Sequence, residues 1–425
     1  GHYVYDLDKG LVYNVFPPGV PWLLLPFLKT GGVSSAFYML PLMNILFALL
    51  FLYLASKYVH ILFGIGVSAL TFFNLVVFEN TTAIMSDLPS MVFLAACFFL
   101  LFLDLKSPRK LFLFLAGAFF GFSLAIRYSN LMGIIPVLFV LLLKFQKNRK
   151  WKASVLDLCC FSGAFLIFGV IPLALYTHRL FGTFFRLVYE PITQSKMQLA
   201  NFPQGAVFYL NALHQNFGTV GILFIGLGLG GCLFLRKWRL VALTGILAFA
   251  AFFTFYSLQT IRHDRYLMPI YPFLAVFYAF SILLVGKLFK KTKLIPFLLA
   301  VLLAAYPLVY SQKKYYPADF TQEKITRLLK ERVESDSAIF ADLLTGPIRF
   351  YADLPGYRFI WTRLEILQET LQILYKLQRP VYFFLDSPVA EEHFQWVLDK
   401  KIIGKDDIEF LAEINGIPLY KYSPK

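Results

Sequence analysis

The chain has 425 residues, of which 58% are hydrophobic and only 15% charged, and its mean hydropathy is +0.65. Soluble globular domains are about 45–50% apolar and about 25% charged, so the composition excludes an ordinary cytosolic enzyme, a disordered chain and a collagen-like fibre. The net charge of +15 resides in the first 318 residues, whose 26 Lys and Arg outnumber eight acids. These bases stand in short runs between apolar segments, which favours topology signals over a nucleic-acid footprint. The composition therefore predicts a polytopic membrane protein.

The first residues do not form a membrane-insertion signal. Residues 1–9 are neither a signal peptide nor a spanning segment, and residue 1 is Gly, so we expect the sequence to begin inside a longer protein. The paired prolines Pro17 and Pro18 fix an extended entry into a short apolar helix at about 21–28. This pattern predicts a loop that lies on the outer membrane surface.

Ten segments are candidate membrane spans, because a spanning helix needs about 20 mainly apolar residues. They are 36–56, 61–78, 88–104, 111–126, 131–143, 153–177, 218–235, 240–258, 266–286 and 294–310. The fifth is short for a span. The connections between spans are too short for soluble domains, except for 178–217.

Lys and Arg are distributed unevenly between alternate connections. One set holds 16 of them in 30 residues, namely 57–60, 105–110, 144–152, 236–239 and 287–293. The other holds eight in 95 residues, namely 1–35, 79–87, 127–130, 178–217 and 259–265. Because cytoplasmic loops are enriched in Lys and Arg, the first set is predicted to be cytoplasmic and both ends of the sequence to lie outside. An even number of spans between two outside ends requires a further helix upstream if the true N-terminus is cytoplasmic.

Residues 319–425 have a different composition. They contain 17 of the 25 acids, helix-period stretches at 322–332 and 365–377, and β-rich runs at 338–341, 358–361, 381–385, 408–414 and 418–422. This alternation predicts a small α/β domain on the outer face. We expect three parts: the remainder of a first outer loop with a membrane-surface helix (1–35), a transmembrane helical domain (36–311) and an extracytoplasmic α/β domain (312–425).

Asp87 is the most informative acid of the membrane part. It lies in Ser86-Asp87-Leu88-Pro89-Ser90, at the outer start of a predicted span. An Asp at this point can cap the helix, and Pro suits the first helical turn. A carboxylate near lipid is costly and usually faces a wet cavity or a partner. Helix cap and functional carboxylate are both compatible with this position.

A second candidate site is the stretch 261–269, again at an outer helix start. Arg262, His263 and Arg265 make an anion cradle at the membrane surface, since guanidinium groups match phosphate oxygens and the helix N-terminus adds N–H groups. The alternative is a lipid-headgroup anchor or an Arg–Asp pair with Asp264. Arg127, which follows the span 111–126, is a similar cation on the predicted outer side, where the positive-inside rule disfavours it.

The remaining acids of the membrane part fall into two groups. Asp104 and Asp157 lie at cytoplasmic helix ends among bases, so ion-paired anchoring is the expected role. The others lie on the predicted outer side: Asp6, Asp8, Glu79, Glu190 and Asp264.

These elements, in this order, resemble the GT-C superfamily of membrane glycosyltransferases, and within it the branch of protein O-mannosyltransferases and aminoarabinose transferases of lipid A. The resemblance rests on the segment 1–27 with its Pro-Pro-Gly, on Ser-Asp-Leu-Pro-Ser at 86–90, on the helix 117–127 ending in Arg, and on Arg-Tyr-Leu-Met-Pro-Ile-Tyr-Pro at 265–272. The outer C-terminal domain also fits, so the resemblance covers nearly the whole chain.

The resemblance implies an integral protein of the plasma (inner) membrane that moves a sugar from a polyprenyl-phosphate donor to an acceptor hydroxyl outside, on a protein, lipid or glycan. A carboxylate orients or deprotonates the acceptor, cations stabilise the leaving phosphate, and a bilayer-side groove holds the prenyl chain. The candidate residues are Asp87 for catalysis, then Arg127, Arg262, His263, Arg265 and Tyr266 for the donor phosphate, and Asp6, Asp8, Pro17, Pro18 and Glu79 lining the loop. No nucleic-acid partner is expected, and a divalent metal is left open.

The sequence departs from the family pattern at two points. The main catalytic Asp of the family follows the first helix, so it is expected upstream of Gly1, which leaves open that the chain as given is inactive. The aminoarabinose transferases carry an acid–base pair just before Pro-Pro, where Val15 and Phe16 stand here. The resemblance therefore implies neither the substrate nor the metal site of the aminoarabinose transferases for this chain.

Two other functions are alternatives to this enzyme. A transporter or flippase would need polar or charged residues at mid-membrane depth, whereas the predicted spans are nearly free of them. A non-catalytic membrane scaffold whose tail binds a partner is the third candidate. The sequence favours the enzyme.

Overall fold

The computed structural model describes residues 3–6, 11–14, 17–58, 60–72, 74–82, 85–148, 151–184, 197–288, 321–361 and 364–424. Its contacts divide the chain into two compact units, residues 16–315 and residues 1–15 with 316–425. The first unit is helical and the second contains the β-strands. The domain limits proposed from the sequence at 35 and 311 stay predictions.

The helical unit is an ordered series of apolar helices. They are α1 (Gly19–Ala36), α2 (Met39–Tyr58), α3 (Ile61–Phe72), α4 (Leu75–Thr82), α5 (Asp87–Lys106), α6 (Lys110–Ile126), α7 (Ile134–Asn148), α8 (Trp151–Phe165), α9 (Ile171–Phe181), α10 (Phe202–Phe234), α11 (Arg239–Ser257) and α12 (Tyr271–Leu288). Short 3₁₀ turns precede α7, α10 and α12, and a π-helical turn, Leu166–Val170, joins α8 to α9.

Six helical segments among the described residues are long and apolar enough to cross a membrane. They are Asp87–Lys106, Tyr128–Gln146, Ser154–Arg179, Leu199–Phe234, Arg239–Ser257 and Asp264–Val285. Shorter apolar helices occupy Met39–Tyr53 and Lys110–Ile126. The prediction of an α-helical polytopic membrane protein is thereby confirmed in outline. The span predicted at 294–310 lies outside the described residues, and the count of ten stays a prediction.

Two predicted segments were wrong in detail. The span predicted at 61–78 is two short helices, because Asn74 interrupts the run and its side-chain Oδ1 accepts a hydrogen bond from the Val77 N–H at 3.1 Å, which starts α4 afresh. The loop predicted at 178–217 contains the first half of α10. This half was predicted as a loop because it contains polar Asn, His and Gln residues. Gly218 (φ +66°) separates the two halves of α10.

Close helix crossings hold the unit together. Gly121 of α6 faces Gly169 of the π-helical turn so closely that a Cβ on Gly169 would lie 2.5 Å from the Gly121 Cα. Small residues allow helix backbones to approach in this way inside a membrane. The core between the helices is rich in fully buried aromatic side chains such as Phe120, Tyr209 and Phe252.

The second unit contains a hairpin and a mixed sheet. Strands β1 (Tyr3–Asp6) and β2 (Leu11–Asn14) pair antiparallel. The larger sheet has the order β4-β3-β5-β7-β6. Its strands are β3 (Ala338–Ala341), β4 (Gly356–Arg358), β5 (Val381–Phe384), β6 (Ile408–Ile414) and β7 (Ile417–Tyr422). The first three in the sheet are parallel, and β7 and β6 are antiparallel.

Helices cover both faces of this sheet, and the alternation of side chains along each strand explains why. The helices are α13 (Thr321–Arg332), α14 (Leu364–Lys376) and α15 (Pro388–Asp399). Phe340 and Phe383 pack on α14 and α15, while Ile339 and Tyr382 pack on α13. The predicted α/β domain is confirmed, although the run predicted as a strand at 358–361 leaves the sheet after Arg358 and continues as a 3₁₀ turn.

Candidate active site at one end of the helical unit

Asp87 is the first residue of α5 and is 4% exposed. Of the two roles left open for Asp87, the helix-cap position is taken by the preceding Ser86. The Asp87 carboxylate instead lies between two guanidinium groups. Its Oδ1 forms an ion pair with Arg127 Nη1, and its Oδ2 lies 3.5 Å from Arg265 Nε. The position at a helix N-terminus further favours the negative charge.

Arg127 ends α6 with an extended backbone, and its N–H donates to the Ser123 carbonyl at 2.9 Å. Its side chain is held on three sides. Besides the ion pair with Asp87, its Nε donates to Ser129 Oγ at 3.2 Å, and its guanidinium lies 4.7 Å from the centroid of the Tyr266 ring. Such a cation–π contact is stronger when desolvated, and the Arg127 side chain is 14% exposed.

Arg265 and Tyr266 lie in the 3₁₀ turn Asp264–Ile270 that precedes α12. The turn is fixed locally because Asp264 Oδ1 accepts a hydrogen bond from the Arg265 N–H at 2.7 Å. Tyr266 stacks on Tyr256 of α11 with ring centroids 5.0 Å apart. The site thus joins the start of α5, the end of α6, the end of α11 and the turn before α12.

The prolines predicted to line the loop also reach this region. Pro17 and Pro18 are buried, and Gly19 begins α1 directly against the last turn of α6. A Cβ on Gly19 would lie 2.6 Å from Ile126 Cγ1, so only Gly permits this approach. The Pro-Pro-Gly element therefore packs beside Arg127.

Comparisons with known proteins bear on the fold of the chain. The family of dolichyl-phosphate-mannose-protein mannosyltransferases matches residues 16–173. A search of curated proteins by sequence gives no match. Among solved structures, ArnT from Cupriavidus metallidurans in the apo state superposes with a TM-score of 0.65 at 12% identity, covering 97% of this chain and 88% of ArnT. The same ArnT bound to undecaprenyl phosphate gives a TM-score of 0.66 at 12% identity, covering 97% and 89%. The chain therefore has the fold of ArnT. The predicted resemblance is confirmed.

Two of the residues predicted to bind the donor phosphate have other surroundings. His263 presents its ring edge to Tyr266 at 5.1 Å, and burial, followed by the nearby Arg265 and Arg127 charges, lowers its pKa below the usual value. Its surroundings therefore disfavour the charged imidazolium form. Arg262 donates from Nη2 to the Asn201 carbonyl at 3.2 Å, which ties the loop before α12 to the start of α10. Donor binding by these two residues stays a prediction.

Of the acids predicted to line the loop, namely Asp6, Asp8 and Glu79, the structure describes the side chain of Glu79 alone. Glu79 is exposed on α4. Asp6 ends β1, but its side chain and the whole of Asp8 lie outside the described residues. Within the described part of the chain there is no group of three or more His, Cys, Asp or Glu side chains that could hold a metal ion.

Sequence reasoning missed several residues of the site. Asn130 Nδ2 donates to Ser90 Oγ at 2.8 Å and to the Ser123 carbonyl at 3.0 Å, which locks α5 to the end of α6. Ser90 lies three residues after Asp87 and therefore shares its helix face. This spacing is visible in the sequence and could have indicated that Ser90 belongs to the site. Tyr256 was missed because nothing distinguishes it in sequence from the other aromatic residues of α11.

Proposed function

We propose that this protein is a glycosyltransferase that takes a sugar from a polyprenyl-phosphate carrier. The observation that carries the proposal is the buried Asp87 carboxylate between Arg127 and Arg265, in a GT-C fold. One carboxylate and two guanidinium groups leave a net charge of +1 in a poorly solvated place. A phosphate group supplies the missing negative charge. The binding of undecaprenyl phosphate by ArnT is in keeping with this ligand class.

The two arginines have different roles in this proposal. Arg127 is held by Asp87, Ser129 and Tyr266, so we assign it a positioning role. The Arg265 side chain is 28% exposed, twice the value of Arg127, and we assign it to the donor phosphate. Contact with both guanidinium groups makes Asp87 better suited to hold the arginines than to accept a proton from the acceptor.

The proposed reaction breaks the bond between the anomeric carbon of the sugar and the phosphate oxygen of the donor. A new bond forms between that carbon and an acceptor hydroxyl oxygen, whose proton passes to a base. The polyprenyl phosphate leaves with one more negative charge. Preorganised cations stabilise the charge that develops on this leaving group, and loss of one such group typically costs about 10²–10³ in rate.

The proposal includes the orientation predicted from the sequence. The connections near Asp87, Arg127 and Arg265 belong to the set poor in Lys and Arg, so we place this site and the α/β unit on the extracytoplasmic side of an inner-membrane protein with about ten spans. The acceptor is a hydroxyl of a protein, lipid or glycan.

The distribution of charge disfavours a transporter or flippase. Among the described residues of the helical unit, the buried charged side chains are Asp87, Asp104, Lys144 and Asp157. Asp87 and Asp104 lie at the two ends of α5, and Lys144 lies near the end of α7. Transport pathways usually have ionisable groups deep in the membrane, whereas three of these four groups lie at or near helix ends and Asp157 lies in the second turn of α8.

The test uses the purified chain in lipid discs, with undecaprenyl phosphate binding and turnover of radiolabelled polyprenyl-phosphate sugars as two readouts. We expect Arg265→Gln to weaken binding of the phosphate about tenfold or more and to lower sugar release about 10²-fold. Arg236→Gln, which changes an exposed arginine between α10 and α11, is the matched control. Wild-type binding and turnover in Arg265→Gln would contradict the proposal.

A further inference from the structure

Two side-chain contacts, one helical turn apart, join the start of α5 to the end of α6. The first is the ion pair of Asp87 with Arg127. The second lies three residues further along both segments, where Asn130 Nδ2 donates to Ser90 Oγ at 2.8 Å and the Ser90 hydroxyl donates to Asn130 Oδ1 at 3.1 Å. Ser90 and Asn130 are both fully buried, so neither side chain is open to the lipid phosphate of the proposed reaction.

The local backbone explains why the two contacts line up. Residues three apart in an α-helix lie on one face, which holds for Asp87 and Ser90. Side chains three apart in a 3₁₀ helix eclipse each other, and the 3₁₀ turn Tyr128–Gly133 begins directly after Arg127. The Asn130 N–H donates to the Arg127 carbonyl at 3.0 Å, which closes this turn. Asn130 therefore follows Arg127 on the side where Ser90 follows Asp87.

The contact between Ser90 and Asn130 is the stiffer of the two. The Asn130 amide is also engaged by α6 itself, because its Nδ2 donates to the Ser123 carbonyl at 3.0 Å. A buried amide without these partners would be costly, which holds the side chain in this orientation. Arg127 reaches Asp87 on a long side chain with many rotamers. The spacing between the start of α5 and the end of α6 is therefore set by the short side chains, and the ion pair follows it.

This spacing decides which arginine the carboxylate engages. Asp87 lies between two guanidinium groups and forms its close ion pair with Arg127, whereas its Oδ2 remains 3.5 Å from Arg265 Nε. If α5 and the end of α6 moved apart, Asp87 would lose Arg127 and pair with Arg265 instead. An arginine that is paired with a carboxylate attracts a phosphate less strongly.

We propose that Ser90 and Asn130 are positioning residues that keep Asp87 on Arg127 and thereby leave Arg265 for the donor phosphate. The inference rests on the proposed transferase function and specifies how its site divides the work between the two arginines. Both residues act through Asp87. Their loss should therefore weaken phosphate binding although every charge of the site is retained.

The experiment measures the dissociation constant of undecaprenyl phosphate for the purified chain in lipid discs. We expect Asn130→Ala, and the milder Ser90→Ala, to weaken binding about three- to tenfold, the effect of one lost hydrogen bond. Because this loss is transmitted through Arg265, Asn130→Ala should cost less than about twofold when it is added to Arg265→Gln. Such non-additivity separates a positioning role from a merely structural one, which would not depend on Arg265.

Ser68→Ala is the matched control. Ser68 is buried, and its Oγ donates to the Ala48 carbonyl at 3.0 Å, which joins α3 to α2 by the same kind of bond. Its loss should lower the melting temperature about as much as Ser90→Ala does and leave the dissociation constant unchanged.

Two results would overturn the inference and leave the proposed function intact. One is wild-type binding in both Ser90→Ala and Asn130→Ala when Arg265→Gln binds more weakly. The other is an equal loss from Asn130→Ala with and without Arg265→Gln, which would show a general loosening of the site. Wild-type binding in Arg265→Gln would instead contradict the proposed function itself. If Asn130→Ala does not fold, the same comparisons with Ser90→Ala decide.

Discussion

The hydroxyl of Tyr256 donates a hydrogen bond to Ser129 Oγ at 2.6 Å. The same Ser129 oxygen accepts from Arg127 Nε at 3.2 Å, so α11 fixes the orientation of a guanidinium group that belongs to the end of α6. The Tyr256 ring also stacks on Tyr266, over which Arg127 lies. One tyrosine thus supports Arg127 through both its hydroxyl and its ring.

Removal of the Tyr256 hydroxyl should loosen Arg127 without removing any charge. We expect Tyr256→Phe to weaken binding of undecaprenyl phosphate roughly two- to tenfold, the effect of about 0.5–1.5 kcal/mol for one hydrogen bond. Tyr271→Phe is the matched control, because it breaks the hydrogen bond from Asn216 Nδ2 to the Tyr271 hydroxyl (2.8 Å), which Arg127 does not share. It should lower stability and leave binding unchanged.

Substitutions of Ser129 separate positioning from packing. Ser129→Ala should reproduce the binding defect of Tyr256→Phe, while Ser129→Thr, which keeps a hydroxyl, should restore most of the binding. If Ser129→Ala binds the lipid phosphate as well as the wild type, the hydroxyl pair does not position Arg127.

The ion pair of Asp87 and Arg127 should show strong energetic coupling. Asp87→Asn leaves two guanidinium groups without their carboxylate, and loss of one partner of a buried pair costs about 3–5 kcal/mol. The double variant Asp87→Asn/Arg127→Gln also removes one of the two guanidinium groups that lost their carboxylate partner. We expect the double variant to be more stable than the sum of the single changes predicts, by about 1–3 kcal/mol in thermal unfolding. Additive losses would mean that the two groups act independently.

The helix start at Asp87 and the turn at 264–270 could be located from the sequence, because Asp, Pro and a change from polar to apolar residues mark helix starts locally. The topology also predicted that Asp87, Arg127 and Arg265 share one side of the membrane. Their direct contact could not be predicted, since Asp87 and Arg127 are 40 residues apart and only tertiary packing joins them. The same holds for Tyr256, whose role depends on Ser129 of another element. The helix break at Asn74 was not predicted because the residues on both sides of it are apolar.

The lowered pKa of His263 predicts a pH dependence of stability. Burial, then the charges of Arg265 and Arg127, disfavour the imidazolium in the folded state, whereas an unfolded histidine titrates near pH 6.5. Between the lowered folded pKa and about 6.5 the unfolded chain binds more protons, so the free energy of unfolding rises as the pH rises through this window. Melting temperatures measured from pH 5 to 7.5 should have a smaller slope in His263→Gln. An unchanged slope would mean that His263 is not desolvated.

The close approach of Gly121 and Gly169 offers a test of how the position of α6 affects the site. A Cβ on Gly169 would lie 2.5 Å from the Gly121 Cα and from its carbonyl oxygen, both backbone atoms that cannot rotate away. We expect Gly169→Ala to destabilise the protein by about 1–3 kcal/mol and to push α6 outward. Because Arg127 ends α6, binding of undecaprenyl phosphate should weaken as well.

Gly163, two turns earlier in α8, is the control for that change. A Cβ there meets nothing within 4 Å, so Gly163→Ala has no clash and gains up to about 1 kcal/mol from the better helix propensity of Ala. Its lipid binding should equal that of the wild type. If Gly169→Ala melts at the wild-type temperature, the backbones at Gly121 and Gly169 are too far apart for the added Cβ to clash. If it melts lower but binds the lipid phosphate normally, the end of α6 is positioned by Ser90, Asn130 and Ser129 alone, independently of the crossing below it.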